Sequence, residues 1–239
     1  MTDPLENPLQ RMERLLDELY GAQTGQQLLP EVRALLERHR AKLPAPRRAG
    51  LSQRDALLIT YADQLTQAGR LPLDTLADFA ATWLKDIVSG LHILPFYPAT
   101  SDDGFSVSDY YRVDPALGGW EQIDRLRADF RLMFDAVFNH ASAQGAWFQG
   151  YLRGEPEYRD FFIAVEGDPD LSRVARPRTL PLLTTFTAAD GERRIWTTFS
   201  ADQVDLNFAN PRVLLRMLDV LLFYVEHGAN LIRLDAIGY

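Results

Sequence analysis

Apolar residues at helical spacing dominate the first fifty positions. A first stripe recurs every three or four residues: Leu9, Met12, Leu15, Leu16 and Leu19. Gly21 follows it, where a helix C-cap is preferred. A second stripe begins after Pro30, which suits a first helical turn. Residues 44–50 contain two prolines and two arginines and break the pattern. We therefore expect a helical hairpin, ended by this linker, as an extension over residues 1–50.

From residue 55 onward, short apolar runs alternate with amphipathic stretches. The runs are 57–61, 91–94, 132–137 and 231–235. Their length and composition are typical of strands, and the first has the pattern of a strand buried on both faces. Helices are predicted between them: a stripe of Leu76, Phe79, Trp83 and Ile87, a segment over 120–128, and a third that starts at Asn210-Pro211 and closes at Gly228. This alternation predicts an α/β fold with a parallel sheet.

The spacing of the runs places an insertion after the third strand. The first three strands start about 35–40 residues apart, and the fourth starts roughly 95 residues after the third. Residues 142–208, rich in Pro, Gly, Arg and aromatics, are expected to form an irregular lobe at the carboxyl end of the sheet. Residues 51–141 and 209–239 would then form about half of an eight-stranded barrel, because a whole one takes ~250 residues. We accordingly expect the N-terminal piece of a longer protein.

Composition and charge restrict the function classes. The 239 residues carry a net charge of −8 and contain no cysteine. The acidic balance disfavours nucleic acid and anionic membrane surfaces as partners, and the lack of thiols excludes disulfides and thiolate chemistry. No signal peptide is visible and no apolar run approaches the ~18–20 residues that span a bilayer. A cytoplasmic protein is the expectation.

Charged groups stand at the carboxyl end of the fourth apolar run. Arg233 and Asp235 are two residues apart in a strand and therefore share one side. The guanidinium would keep the carboxylate ionised by lowering its pKa. An ionised, oriented carboxylate is what attack on an anomeric carbon requires. A structural ion pair that closes the core is the alternative, and spacing alone does not separate the two.

Several motifs together resemble the α-amylase superfamily of barrel enzymes. Residues 135–140 (DAVFNH) and 232–236 (IRLDA) are similar to its first two conserved regions. The segments 58–63 (LITYAD), 92–96 (HILPF), 103–105 (DGF) and 196–199 (WTTF) are similar to sucrose phosphorylase and its relatives. The helical extension and the segments 101–107 (SDDGFSV) and 176–183 (RPRTLPLL) are most similar to the glucosylglycerate phosphorylases of that group. The resemblance implies the N-terminal half of a TIM barrel.

The resemblance also implies roles for individual residues. Asp235 would be the nucleophile that forms a glucosyl-enzyme, with Arg233 holding it ionised. The remaining implied contacts lie around the sugar and phosphate: His140 and Asp102 to glucose hydroxyls, Phe105 and Phe199 as apolar walls, Gln203 beside the same pocket, and Arg178 to phosphate or the acceptor. No metal and no cofactor are implied, with inorganic phosphate as co-substrate.

Each of these residues has a plainer interpretation. Taken alone, His140 is typical of a loop histidine whose hydrogen bonds are made within the protein. Phe105 and Phe199 are typical of aromatic residues that pack in the interior. Arg178 has basic neighbours in the sequence, so a solvated basic face competes with anion binding. Asp135 is expected to support the site from its strand, and Asn139 is assigned no calcium.

The resemblance predicts a retaining α-glucoside phosphorylase that transfers glucose between glucosylglycerate, or next sucrose, and phosphate. The acid/base glutamate of that family would come on a fifth strand, so the 239-residue chain alone is expected to be inactive. Two alternatives remain open: a hydrolase or transglucosidase of the same superfamily, and a non-catalytic binding or assembly module built on a degenerate barrel.

Overall fold

The N-terminal extension is a helical hairpin, as expected. The computed structural model describes residues 7–43, 51–175 and 177–238. Helix α1 (Pro8–Tyr20) is capped by Asn7, and helix α2 (Ala22–Arg40) follows after Gly21, whose φ of 81° suits glycine. Pro30 lies inside α2, so the expectation that it starts the helix is wrong. The buried face runs unbroken across the proline, and its packing outweighs the lost hydrogen bond. The linker predicted at 44–50 lies outside the described residues.

Four parallel strands form the central sheet in the order of the sequence, which confirms the predicted α/β fold. They are β1 (Leu57–Thr60), β2 (Gly90–Ile93), β3 (Arg131–Val137) and, fourth in the sheet, β8 (Ala229–Asp235). In β3 and β8, Asp135 pairs with Arg233 and Val137 with Asp235. This register places the charged groups of the two strands side by side at the carboxyl edge.

Helices connect these strands in the predicted order. They are α3 (Pro72–Phe79), α4 (Trp120–Asp129) and α6 (Pro211–Glu226). Asn210 caps α6 by accepting from the Arg212 backbone N–H, and Pro211 occupies its first position, as predicted. α6 also packs against α2, where Leu215 closes a small apolar cluster with the helical hairpin. The hairpin is therefore attached to the barrel portion through α6.

Two predictions of burial fail. Ile59 in β1 is 61% exposed, so the expectation of a strand buried on both faces is wrong. β1 is an edge strand within the described residues. The stripe predicted through Trp83 and Ile87 is broken as well, because a π-helical turn over Ala80–Leu84 follows α3. The wider turn changes the angular register, and both side chains are exposed.

The lobe after the third strand is more regular than its sequence predicts. It contains α5 (Ala146–Leu152) and an antiparallel hairpin of β5 (Leu183–Ala188) and β6 (Gly191–Trp196). A second antiparallel pair, β4 (His140–Ser142) with β7 (Gln203–Asp205), joins the lobe to the end of β3. The absence of periodicity in the sequence reflects short strands rather than irregular structure. The division of the chain at residues 50, 141 and 208 stays a prediction.

Across the described ranges, no helix combines the length and apolar character needed to traverse a lipid bilayer.

Candidate active site

The predicted site residues meet in one open cleft of about 470 Å³ at the carboxyl ends of β3 and β8. Every one of them lines it: Asp102, Phe105, His140, Arg178, Phe199, Gln203, Arg233 and Asp235. These residues come from the ends of the sheet strands, from the segments that follow them and from the lobe. Parallel α/β sheets place their ligand sites at this edge.

The last strand supplies a carboxylate and a guanidinium on the same side, as the two-residue spacing predicts. Arg233 Nη2 lies 2.8 Å from Asp235 Oδ1. The same guanidinium donates through Nη1 to Asp135 Oδ1 on the neighbouring strand. Arg233 therefore contacts two carboxylates at once: that of Asp135, which is buried in the sheet, and that of Asp235, which faces the cleft.

The pKa of Asp235 differs from expectation. Burial raises it above the ordinary value, and Asp135 and Asp102 raise it further. Arg233 lowers it as expected, but less than burial raises it. The expectation of a net lowered pKa is therefore wrong: sequence spacing reveals the arginine but not the desolvation. Ionised Asp235 thus depends on Arg233 more strongly than an exposed aspartate would.

The buried partner of this pair is Asp135, which has no exposed surface. Its Oδ2 lies 2.7 Å from His92 Nε2, and its backbone carbonyl accepts from the Tyr97 hydroxyl. The carboxylate itself is matched by His92 and Arg233, and a buried carboxylate needs such donors because an unmatched buried charge is very costly. Asp135 therefore contacts Arg233 and His92 from its strand, its supporting role stays a prediction, and His92 is a residue that the sequence analysis did not single out.

His140 is held as a neutral imidazole. Nε2 lies 2.9 Å from the Phe105 carbonyl oxygen, so Nε2 carries the proton, and Nδ1 is free to accept from the Asn139 amide at 3.4 Å. Burial lowers the pKa of His140 to about 4. Gln203 Nε2 lies 3.0 Å from the same ring nitrogen, but two N–H groups cannot bond each other, so this contact is packing.

Asp102 is fixed in the cleft by two residues of the lobe. Arg178 Nη2 contacts its Oδ1 at 2.8 Å and its Oδ2 at 2.9 Å, and Gln203 Nε2 donates to Oδ2 at 2.9 Å. Its backbone has a φ of 55°, which aspartate tolerates better than most residues. Arg178 lines the cleft with its side chain 42% exposed, so its assignment to anion binding over a solvated basic face stays a prediction.

Two aromatic rings flank these polar groups. Phe199 lies 5.1 Å from the His140 ring and 5.9 Å from the Arg178 guanidinium carbon. Phe105 lies 5.6 Å from the Arg233 guanidinium carbon and lines the same cleft. Rings of this kind offer apolar faces to the C–H surface of a sugar while polar groups at the rim bind its hydroxyls.

Sequence reasoning missed four lining residues: Tyr61, Asp103, Pro177 and Ala236. Tyr61 follows β1 directly, so its position at a strand end was a usable signal. Asp205 was also missed: it is buried at the junction of β4 and β7 and accepts from the backbone N–H of Thr198 at 3.1 Å. Burial raises the pKa of Asp205 to about 6. The assignment of no metal stays a prediction.

A wider cleft of about 890 Å³ lies between α2, α6 and the lobe. Its arginines are each paired with a carboxylate: Arg38 with Asp219, Arg212 with Glu31 and Arg216 with Glu157. Because these charges are matched locally, the wider cleft offers a weaker case for chemistry than the smaller one.

A carboxylate beside a guanidinium, a neutral imidazole and two apolar rings is an arrangement suited to attack on the anomeric carbon of a sugar. Residues 82–239 match the family described as "Alpha amylase, catalytic domain". The chain belongs to the alpha-amylase family. The placement of the two conserved regions on β3 and β8 is thereby explained, and the expected family is confirmed.

Curated relatives within this alpha-amylase family are phosphorylases. Over 97% of its length the chain is 52% identical to a protein of Spirochaeta thermophila named glucosylglycerate phosphorylase. It is 47% identical over 96% of its length to a protein of the same name from Escherichia coli. The chain covers 40% and 41% of these two relatives, respectively.

A solved structure shows the same fold. Sucrose 6F-phosphate phosphorylase from Thermoanaerobacter thermosaccharolyticum superposes with a TM-score of 0.73 at 32% identity, covering 80% of this chain and 41% of that one. The four parallel strands and their helices therefore correspond to part of a TIM barrel, as expected.

Proposed function

We propose that the protein expressed from its complete reading frame is a retaining α-glucoside phosphorylase. The observation that carries the proposal is the single cleft in which Asp235, Arg233 and Arg178 meet between two aromatic rings. The phosphorylase relatives support it, because they extend over nearly the whole chain.

Asp235 is proposed as the nucleophile. One carboxylate oxygen attacks the anomeric carbon, and the bond from that carbon to the leaving oxygen breaks as the leaving oxygen takes a proton. A phosphate oxygen then attacks the same carbon from the face the leaving group vacated, releasing Asp235 and giving α-glucose 1-phosphate. Two inversions give net retention. We assign the proton donor to no residue in the described part of the chain.

The sugar is proposed to lie between Phe105 and Phe199. His140 is neutral above its lowered pKa, so a hydroxyl that shares the Nε2 proton with the Phe105 carbonyl would be bound without adding charge. Asp102 is proposed to accept from a distal hydroxyl, with Gln203 beside it. Both side chains are already oriented by their mutual hydrogen bond, which reduces the entropy lost on binding.

Arg178 is proposed to bind phosphate or an acceptor carboxylate. A guanidinium matches either anion through two parallel hydrogen bonds. Its support is that Arg178 lines the cleft and that its Nη2 already contacts both oxygens of one carboxylate, Asp102. Phosphate acts as co-substrate, with no cofactor.

We further propose that the protein acts in the cytoplasm on small sugars and phosphate, with no nucleic-acid or membrane partner. The net charge of −8 supports the exclusion of polyanionic partners.

Glucosylglycerate is the favoured donor and sucrose the second. A donor panel assayed for phosphate-dependent glucose 1-phosphate decides between them. We expect product from glucosylglycerate at a far higher kcat/KM than from sucrose. Sucrose as the only good donor would overturn the choice, and sugar release that does not depend on phosphate would favour a hydrolase or transglucosidase.

Arg178→Ala tests the anion site. We expect it to raise the KM for phosphate by about 10–100-fold, since a charged bidentate contact is lost. Arg194→Ala is the matched control, because within the described ranges the one carboxylate that the side chain of this half-buried lobe arginine contacts is exposed Asp168, at 3.8 Å. An unchanged phosphate KM in Arg178→Ala would remove Arg178 from the site.

A further inference from the structure

A chain of hydrogen bonds that ends in an ion pair runs behind the cleft, across three neighbouring strands. His92 Nε2 on β2 lies 2.7 Å from Asp135 Oδ2 on β3. Asp135 Oδ1 accepts from Arg233 Nη1 on β8, and Arg233 Nη2 lies 2.8 Å from Asp235 Oδ1. Its inner end is buried, since His92 is 4% exposed and Asp135 has no exposed surface. Its outer end is the carboxylate that faces the cleft.

The two oxygens of Asp135 have separate donors. A carboxylate only accepts hydrogen bonds, so His92 Nε2 carries a proton in this contact. Without that donor, Oδ2 would be a buried charged acceptor with no partner, which is strongly unfavourable. Arg233 is the charged donor already beside it. The guanidinium would turn to take both oxygens of Asp135, in the bidentate geometry that arginine prefers.

If Arg233 turned in this way, its contact with Asp235 would be lost. The charged groups that face Asp235 are Arg233 on its own strand, Asp135 on β3 and Asp102 from the turn after β2. Arg233 is the single one of these that favours its ionised form. With Arg233 drawn towards Asp135, Asp235 would lose its cation while both negative neighbours remained.

We propose that His92 is a positioning residue for Asp235: by occupying Asp135 Oδ2, it keeps Arg233 aimed at the carboxylate in the cleft. This inference rests on the proposed function for its kinetic readout. His92 touches neither the cleft nor a reacting atom, and acts through Asp135 and Arg233.

The test compares His92→Leu with His92→Gln in the protein expressed from its complete reading frame. Leucine fills similar volume without a donor, whereas glutamine carries an amide N–H at about the reach of Nε2. For His92→Leu we expect kcat for phosphorolysis to fall by about 10–100-fold, with a smaller change in KM, because the nucleophile is misplaced. We expect the acidic limb of the kcat/KM profile to move to higher pH, and His92→Gln to restore most of both.

The control is His227→Leu, which removes a half-buried imidazole that bonds the Phe223 carbonyl at the end of α6. It is expected to leave the pH profile unchanged. If His92→Leu gives no folded protein, His92→Asn replaces it, because its shorter amide does not reach Asp135. An unshifted acidic limb in a folded His92 variant, or a loss that glutamine fails to rescue, would overturn the inference.

A second readout does not need enzymatic activity. The titration of the Asp235 carboxyl, followed by NMR of ¹³C-labelled aspartate, is expected to move to higher pH in His92→Leu. If the wild-type protein shows no phosphorolysis, the proposed function fails and this titration alone decides the positioning role. An unchanged titration would overturn the inference even in an active enzyme.

Discussion

Replacing Asp205 by asparagine tests the electrostatics of the junction between β4 and β7. The Asp205 carboxyl is buried, and its two oxygens accept from the Thr198 backbone N–H and from the Thr198 hydroxyl. Asparagine keeps both contacts, because its oxygen can accept from the N–H and its amide can donate to the hydroxyl. Asn139 also hydrogen-bonds this carboxylate, so the substitution removes the ionisation and adds a pH-independent change at that contact.

The size of the pH-dependent change in folding stability follows from the pKa of Asp205, which burial raises from 3.8 to about 6. A raised folded-state pKa means that the stability contributed by the protonated group is complete below about pH 3.8 and is lost as the pH rises through about 6. The whole loss is about 3 kcal/mol, at about 1.36 kcal/mol per pH unit. About 2 kcal/mol of it falls between about pH 4.5 and about pH 7.5.

We therefore expect Asp205→Asn to gain stability over the wild type as the pH rises from about 4.5 to about 7.5. Thermal melting of both proteins across this range measures the gain. Asp168→Asn is the matched control, since that side chain is fully exposed. A difference between Asp205→Asn and wild type that does not change with pH, or that shrinks as pH rises, would refute the reasoning.

Three further predictions concern the cleft and its turns. Arg233→Lys should lower kcat by about 10²-fold and move its acidic limb to higher pH, because one ammonium group cannot hold two carboxylates in the fork geometry of arginine; unchanged steady-state kinetics would contradict this. His140→Asn should leave the shape of the pH–rate profile above about pH 5.5 unchanged, since burial lowers the His140 pKa to about 4; a limb in that range that vanishes in the variant would contradict it. Gly104→Ala should lower the melting temperature more than Gly167→Ala: both have positive φ, but only at Gly104 would the new Cβ lie 2.8 Å from the Pro95 carbonyl oxygen. Equal losses would contradict that reasoning.

The order of strands and helices could be predicted because each rests on a local signal. Asn210-Pro211 starts α6 since the asparagine side chain and the proline ring suit the first helical turn whatever surrounds them. Ile59 and Trp83 were predicted as buried because they are apolar. Whether a side chain is buried, however, depends on which other element packs over it, and the local sequence pattern does not specify that element.

The candidate site divides in the same way. The shared face of Arg233 and Asp235 follows from strand geometry and could be predicted. The contact of Arg178 Nη2 with both oxygens of Asp102 joins residues 76 positions apart, and it depends on how the lobe folds back over the sheet. The raised pKa of Asp235 was missed for a related reason, because desolvation comes from the assembled cleft.

Trapping the glucosyl-enzyme tests the central claim most directly. Brief reaction with α-glucosyl fluoride, whose leaving group needs no protonation, is followed by acid quench, proteolysis and peptide mass spectrometry. The account predicts the added mass of one glucosyl residue on Asp235 and no adduct in Asp235→Asn. Turnover with the label on a different side chain, or unchanged turnover in Asp235→Asn, would contradict it.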